Sequence, residues 1–497
     1  MPAADKRRQV ANGAWYLTPI VIGNIVPIAT LPIFTRILST EDYGAWALAN
    51  VYAVFIGGLA ACGLPLAYER NFFQHRGSRE SAQLLYSVLA FVAGAFLIGA
   101  LATWVWSGPI ARWMIGDVRY GSLLLWSLVT TGLVSMKGFY LTFLRNSEAA
   151  AQFARYTIAE RLAGAVLSLL FVVWLRVGVI GLVFGPLLAS LGVLAAIAFR
   201  FARELPPAFD RRLLAGALRL GYPLTPRTFL GVLSKNFDKY LIGQMSSLGG
   251  VGAYSVGQRI AYVPFTYATA LENVFMPRVY RQMFELGDRG GSSIGRYLTP
   301  FAYASAATAF AVAIFAGDIL WILTPASYHG AAPVVTILSL YYGVQFFGKV
   351  PQLTYAKRTD LIFVLSAVAT ALNVVFGVVC IRLWGVSGAA WGVLFAGMLS
   401  VGLGLVVGQR HYPIQWETRR LLGIYGLLFA AAAAALVLQQ SAMVWAAQLA
   451  IKLGLLAAFA LLGLRLGYIS RENAGMVRDI LLRRPASADP VEAGASA

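Results

Sequence analysis

Residues 82–106 read AQLLYSVLAFVAGAFLIGALATWVW, twenty-five positions without one Asp, Glu, Lys or Arg. An α-helix rises 1.5 Å per residue, so about 20 apolar residues cross the roughly 30 Å hydrocarbon core of a bilayer. Arg76 and Arg79 stand before this run and two tryptophans close it. Similar runs fill the rest of the 497-residue chain, which is 59% hydrophobic and 12% charged. A soluble protein carries about 25% charged residues, so an ordinary soluble enzyme is excluded. The net charge of +19 suggests a nucleic-acid ligand at first sight. That reading fails because the Lys and Arg residues come in small groups between apolar runs, not on one face or tail.

Fourteen spans can be drawn. Going from loop to loop, twenty-seven of the forty Lys and Arg residues fall on one side and five on the other, with eight inside spans. Lys and Arg stay on the cytoplasmic side during insertion. Both termini are therefore expected in the cytoplasm, with the basic loops against an anionic inner leaflet. The N-terminus has basic residues but no short apolar core with a small-residue cleavage site, so residues 12–34 are expected to stay as a first helix. Residues 470–484 carry Met476, Val477, Ile480 and Leu481 at helical spacing among arginines. They are expected to lie on the membrane surface, ahead of a disordered tail at 485–497. Cys62 and Cys380 fall within spans and read as packing thiols.

An internal repeat organises the spans. Leu17-Thr18-Pro19 recurs as Leu224-Thr225-Pro226, and Gly44-Ala45-Trp46 as Gly252-Ala253-Tyr254. Gly178-Val179-x-Gly181-x-x-x-Gly185 recurs as Gly385-Val386-x-Gly388-x-x-x-Gly392. The offsets are 207 or 208 throughout. Six spans separate the copies, an even number, so both halves have the same orientation, related by an axis along the membrane normal. The expected fold is an all-α polytopic protein with a six-helix bundle at 1–199, a basic linker at 200–221, a second bundle at 222–408 and two further helices at 409–469. Two like-oriented bundles suit an alternating-access transporter. The small-xxx-small glycines are read as helix contacts.

The same residues resemble a known family. Pro27-x-x-x-x-Pro32-Ile33-Phe34-Thr35-Arg36-Ile37-Leu38-Ser39-x-x-Asp42-Tyr43-Gly44 is similar to the first helix and loop of Wzx-type polysaccharide and O-antigen flippases. These form the polysaccharide-transport branch of the multidrug/oligosaccharidyl-lipid/polysaccharide (MOP) exporter superfamily. Gly221-Tyr222-Pro223-Leu224-x-Pro226, Asp238-Lys239-Tyr240-x-x-Gly243 and Gly252-x-Tyr254-Ser255 extend the likeness. The family commonly has Arg where Lys239 stands, which keeps the charge and loses the guanidinium fork. The resemblance implies transfer of undecaprenyl-pyrophosphate-linked oligosaccharide from the cytoplasmic to the periplasmic leaflet, with other polysaccharide-assembly membrane proteins as candidate partners and no nucleic acid.

Charges inside spans are costly and usually face a wet cavity. Lys235, Asp238 and Lys239 follow i, i+3, i+4 spacing and share one side of span 7. Asp238 is expected to pair with one lysine and leave a positive charge over, with Arg259 of span 8 at similar depth. Such a patch suits a pyrophosphate or an acidic sugar; the alternative is a self-neutralising structural pair. Arg161, Arg227 and Lys349 lie near cytoplasmic ends and can snorkel. Lys137 either snorkels or lines the cavity. Arg36 is either a further cavity residue or an interfacial anchor. Glu272 is placed to pair with Arg278 rather than carry a proton. Lys452 lies outside the repeat and has no assigned role.

Enzyme signals are poor. His75, His329 and His411 are the three histidines, in loops without metal-ligand spacing. Gly343-x-x-x-x-Gly348-Lys349 has Val350 where a phosphate-binding loop needs Ser or Thr, and it is expected inside an apolar helix. No metal or cofactor is expected, and coupling to H⁺ or Na⁺ stays open. The alternatives are a lipid II flippase, a multidrug antiporter with cavity carboxylates, and a membrane glycosyltransferase or polymerase. The last generally needs a sizeable extramembrane loop; the longest outer loop here, 107–121, has 15 residues.

Overall fold

The computed structural model describes residues 3–74, 78–205, 207–441 and 443–467, and among these it contains helices and turns and no strand. The all-α expectation holds. The surface helix and tail expected beyond residue 469, and His75, lie outside the described residues. The chain packs as two compact units: one holds the chain through Ile260 with Gly317–Leu338 and Thr359–Ser400, the other Ala261–Ala316, Ser339–Arg358 and the chain from Val401.

In the first unit, α1 (Ala3–Ile37) turns sharply into α2 (Thr40–Ala60). Ser39 caps α2, its hydroxyl accepting from the Asp42 N–H at 3.1 Å, and Glu41 and Asp42 set negative charge against the positive helix end. There follow α3 (Leu64–Gln74), α4 (Ser78–Val105), α5 (Ser107–Met114), α6 (Gly121–Asn146), α7 (Ala150–Leu169), α8 (Gly181–Glu204), α9 (Arg211–Gly221) and α10 (Thr225–Met245). The expected loop at 107–121 is mostly the short helix α5. Gln244 of α10 donates to the Trp113 carbonyl of α5 at 2.8 Å, and the Trp113 and Tyr240 rings meet at 5.5 Å.

Next comes α11 (Leu248–Leu286), which gives its first residues to one unit and the rest to the other. Then come α12 (Gly290–Ile314), α13 (Ala316–Leu323), α14 (Ala332–Val344), α15 (Pro351–Tyr355), α16 (Thr359–His411), α17 (Thr418–Gln440) and α18 (Trp445–Arg465). The core of the second unit gathers Phe275, Val279 and Met283 of α11, Ile294 and Leu298 of α12, and Tyr412.

The repeat seen in the sequence has physical counterparts. Gly178 and Gly385, 207 apart, both adopt positive φ, +73° and +59°, a conformation that suits glycine. Each opens a tight helical hairpin. Gly181 lies against Val172 and Gly185 against Ser168; Gly388 lies against Cys380 and Gly392 against Gly377. In each pair set one residue number rises as the other falls, which is antiparallel packing. The 53 residues of α16 are therefore two arms folded back at Gly385. Gly44 and Gly252 form the closest counterpart. A Cβ on Gly44 would strike the Leu248 carbonyl, four residues before Gly252, and a Cβ on Gly252 would strike the Thr40 carbonyl, four residues before Gly44. The starts of α2 and α11 thus cross through a two-fold-like contact.

Overpacking a tight interface costs about 1–3 kcal/mol and occasionally more. Gly252→Ala is expected to lower the thermal unfolding temperature of the detergent-solubilised protein, because backbone cannot yield as a side chain can. Gly94→Ala, with nothing within 4 Å of the added methyl, serves as the neutral comparison.

Eleven helical segments among the described residues are long and apolar enough to cross a membrane. α16 is one of them and folds into two arms. The charged α10 and α11 are long enough and fall below the apolarity required. The run around Gly343–Lys349, expected inside an apolar helix, is broken. Val344 leads into a 3₁₀ turn, Gln345–Gly348; Lys349 is extended and Val350 is non-helical (φ −114°, ψ 78°) before helix resumes at Pro351. Proline has no N–H to donate and drives the residue before it out of the α region. The glycine-lysine run therefore ends at a helix break, with no strand before it.

Candidate functional site

Asp238 is 6% exposed and anchors the site. Tyr254 and Gln258, one turn apart on α11, both project onto it: the Tyr254 hydroxyl donates to Oδ2 at 2.6 Å and Gln258 Nε2 at 3.2 Å. The Lys239 backbone N–H donates to Oδ1 at 2.8 Å. The carboxylate is thus satisfied by neutral donors, and neither Lys235 nor Lys239 forms an ion pair with it. This departs from the expected lysine pairing. A burial cost has already been offset by donors fixed on the neighbouring helix, so Asp238 clamps α10 to α11.

The cations around it remain available. Lys235 is exposed, and Lys239, half-buried, lies within electrostatic range of both Asp238 and Arg259. Arg259 rests on α2: Nη1 donates to the Tyr43 hydroxyl at 3.1 Å and the guanidinium sits 5.5 Å from the Trp46 ring centre. Cation–π contact holds the group in place without neutralising it. Lys239 and Arg259 thus lie within range of each other beside a carboxylate that neutral donors have satisfied, and Lys235 stands one turn before Asp238 on the same helix.

Tyr43 meets the Tyr328 ring edge-on at 6.2 Å, and the Tyr328 hydroxyl donates to the Ser39 carbonyl at 3.0 Å. Arg36 donates to its own helix at the Pro32 carbonyl, 3.0 Å, and reaches the Ile322 carbonyl at 3.5 Å. Arg36 therefore straps the α1–α2 corner to the segment before Tyr328. Much of the motif from Pro32 to Gly44 builds this corner.

The other candidates stand apart. Lys137 of α6 is 4% exposed and pairs with Glu160 of α7, whose Oε1 also accepts from the Ser190 hydroxyl of α8 at 2.6 Å. It neither snorkels nor faces open space. Arg227 lies in the first turn of α10. In the second unit Lys349 pairs with both Glu272 oxygens, at 2.8 and 3.0 Å. Arg278, the partner expected for Glu272, stacks instead on Tyr297 at 4.6 Å. Among the described residues no group of three His, Cys, Asp or Glu side chains has metal-site geometry.

Reading by spacing missed Glu160, Tyr43, Trp46, Tyr254 and Gln258. Tyr254 and Gln258 carried a signal, since i, i+4 polar residues on an otherwise apolar helix share one face.

A model of the family described as polysaccharide biosynthesis protein matches residues 9–283, more than half of the chain. The chain belongs to this family. It is 23% identical over 390 residues, 76% of each chain, to the succinoglycan biosynthesis transport protein ExoT of Rhizobium meliloti (strain 1021). Its fold is similar to that of the lipid II flippase MurJ in an inward closed conformation, with a TM-score of 0.70, 12% identity, and 92% of this chain and 99% of the other covered. An inward-facing multidrug resistance MATE transporter of the MOP superfamily gives 0.61, with 16% identity and coverage of 84% and 99%. The polysaccharide-transport branch and the MOP fold read from the motifs are borne out. This member of the family is a multi-pass membrane protein whose relatives are transporters, not enzymes.

Proposed function

We propose that the protein is a flippase for polyprenyl-pyrophosphate-linked oligosaccharide, moving the head group from the cytoplasmic to the periplasmic leaflet by alternating access. The observation that carries this reading is the surplus of positive charge at Lys235, Lys239 and Arg259, with Asp238 held by Tyr254 and Gln258. A pyrophosphate leaving water needs charged donors to replace its hydration. An antiporter of cationic drugs would need an uncommitted carboxylate; Asp238 and Glu160 are both committed. The bundles at 1–199 and 222–408 would rock about the substrate, the polyprenyl tail staying in lipid. That division rests on the sequence repeat; the compact units of the structure are cut differently, with the hairpins at Gly178 and Gly385 both in the first. An inside-negative potential favours outward movement of an anion by about 2.3 kcal/mol per charge per 100 mV, so the potential alone can assist export. Cytoplasmic termini and an inner-membrane location fit the arginine alternation. Exposed tryptophans lie near span ends on both sides, Trp15 on the arginine-rich side and Trp104, Trp106, Trp113, Trp174, Trp321, Trp384 and Trp445 on the arginine-poor side, as interfacial aromatics do.

The test is transfer in proteoliposomes. The purified protein is expected to move a labelled polyprenyl-pyrophosphate oligosaccharide between leaflets, faster when the destination side is positive. Export of cationic dyes without glycolipid transfer would replace this reading with the antiporter.

A further inference from the structure

Two other carboxylates within spans, Glu160 and Glu272, each pair with a lysine, Lys137 and Lys349. Asp238 has a lysine three residues before it and another directly after it. Among the described residues it forms an ion pair with neither. Residues at i and i+3 are neighbours on a helix surface, so Lys235 is placed to reach the carboxylate. Oδ2 is already occupied, by the Tyr254 hydroxyl at 2.6 Å and Gln258 Nε2 at 3.2 Å. Tyr254 is fully buried, which fixes its hydroxyl. Both donors are neutral, so they satisfy the carboxylate without using up a cation. The negative charge still acts at a distance: Lys239 lies within range of Asp238 and of Arg259, and the carboxylate offsets the repulsion between the two cations. Gln258 also precedes Arg259, and successive helix residues point about 100° apart. With Gln258 held on α10, Arg259 is turned toward α2, where it meets the Tyr43 hydroxyl at 3.1 Å.

We propose that Tyr254 and Gln258 are positioning residues for phosphate binding: they occupy Asp238 so that the ammonium groups of Lys235 and Lys239 stay free for the pyrophosphate. The inference rests on the flippase reading for its ligand and adds the residues that set how much charge the site can offer. Without the two donors, Oδ2 is a buried charged acceptor with nothing on it, which is costly. The readiest repair is for a lysine to turn in. An ammonium on a carboxylate has its charge offset, a donor spent and its stem turned away from a phosphate. A clamp that served packing alone would behave differently. Its loss would loosen α10 from α11 whatever the charge at position 238.

The experiment uses the full chain in detergent and isothermal titration with inorganic pyrophosphate, which the wild type is expected to bind. Tyr254→Phe with Gln258→Leu is expected to weaken the apparent affinity about tenfold, through one charge-assisted hydrogen bond lost to the phosphate. Adding Asp238→Asn to that pair is expected to restore it, since an amide has no charge with which to hold a lysine. The triple variant still lacks both original donors, so restoration separates positioning from packing. If the double variant does not fold, Gln258→Leu alone keeps the 2.6 Å bond from Tyr254. It is expected to weaken binding about threefold, again restored by Asp238→Asn. Affinity unchanged by loss of the donors, or not restored by Asp238→Asn, overturns the proposal. So does a wild type that binds no pyrophosphate, which also removes the ligand assigned to the cluster. Glycolipid transfer by the wild type in proteoliposomes scores the flippase reading separately, so a failed restoration strikes this proposal alone.

Discussion

Lys137→Met is expected to destabilise the protein strongly, and Lys137→Met with Glu160→Leu to restore most of the loss. The lysine is 4% exposed and its ammonium meets Glu160, which also holds the Ser190 hydroxyl at 2.6 Å. Removing one member of a buried ion pair leaves the other charged and unpaired, at a cost of about 3–5 kcal/mol; replacing both with apolar groups is often near neutral. Arg161 lies within electrostatic range of Lys137 and is exposed, so it can take over part of the Glu160 charge only by leaving its own surroundings. Thermal unfolding of the two single variants and the double variant in one detergent gives the coupling directly. A Lys137→Met protein as stable as the wild type would mean that Glu160 takes up a proton in place of its partner. Because Ser190 sits on α8, the pair ties three helices of one unit together, and the double variant is expected to keep transport.

That pair shows where sequence reading stops. The span pattern and the repeat depend on properties that act along the chain: apolar length, arginine alternation and glycine where the backbone turns or crosses. Gly178 and Gly385 were legible because the same backbone conformation demanded the same residue twice. Pairing between helices depends on rotation about each helix axis, and an apolar helix with one charge does not reveal its own rotation. Lys137 and Glu160 are 23 residues apart on antiparallel helices, and nothing in their spacing marks them as partners. Asp238 showed the opposite failure. Its neighbours at i−3 and i+1 are lysines, so local spacing pointed to them, while Tyr254 and Gln258 reach it from the next helix at 2.6 and 3.2 Å. Pro351 was visible in the sequence, yet the break at Lys349 was concealed by the apolar character of residues on both sides.

The asymmetry of the repeat then bears on the site. At an offset of 207, Lys235, Asp238 and Lys239 correspond to Ile28, Leu31 and Pro32, so the first copy has no charge where the second has three. A structural need common to both halves would have kept the same chemistry in both, as it did for Gly44 and Gly252. The charges therefore serve something that only one half does. If that is holding pyrophosphate, Lys235→Ala with Lys239→Ala is expected to reduce glycolipid transfer in proteoliposomes by about 100-fold, each charged hydrogen bond being worth about 1.5–3 kcal/mol and each 1.4 kcal/mol a factor of ten. Folding is expected to be spared, because neither side chain pairs with Asp238 and Lys235 is exposed. Lys239→Arg, which keeps the charge, is expected to retain transfer. Arg259→Lys is expected to lose more than its charge suggests, since the lysine cannot both hydrogen-bond Tyr43 and stack on Trp46 as the planar guanidinium does. Transfer unchanged in the double lysine variant would show that the charges are interfacial, and the phosphate would then have to be sought among Arg36, Arg227 and Lys349.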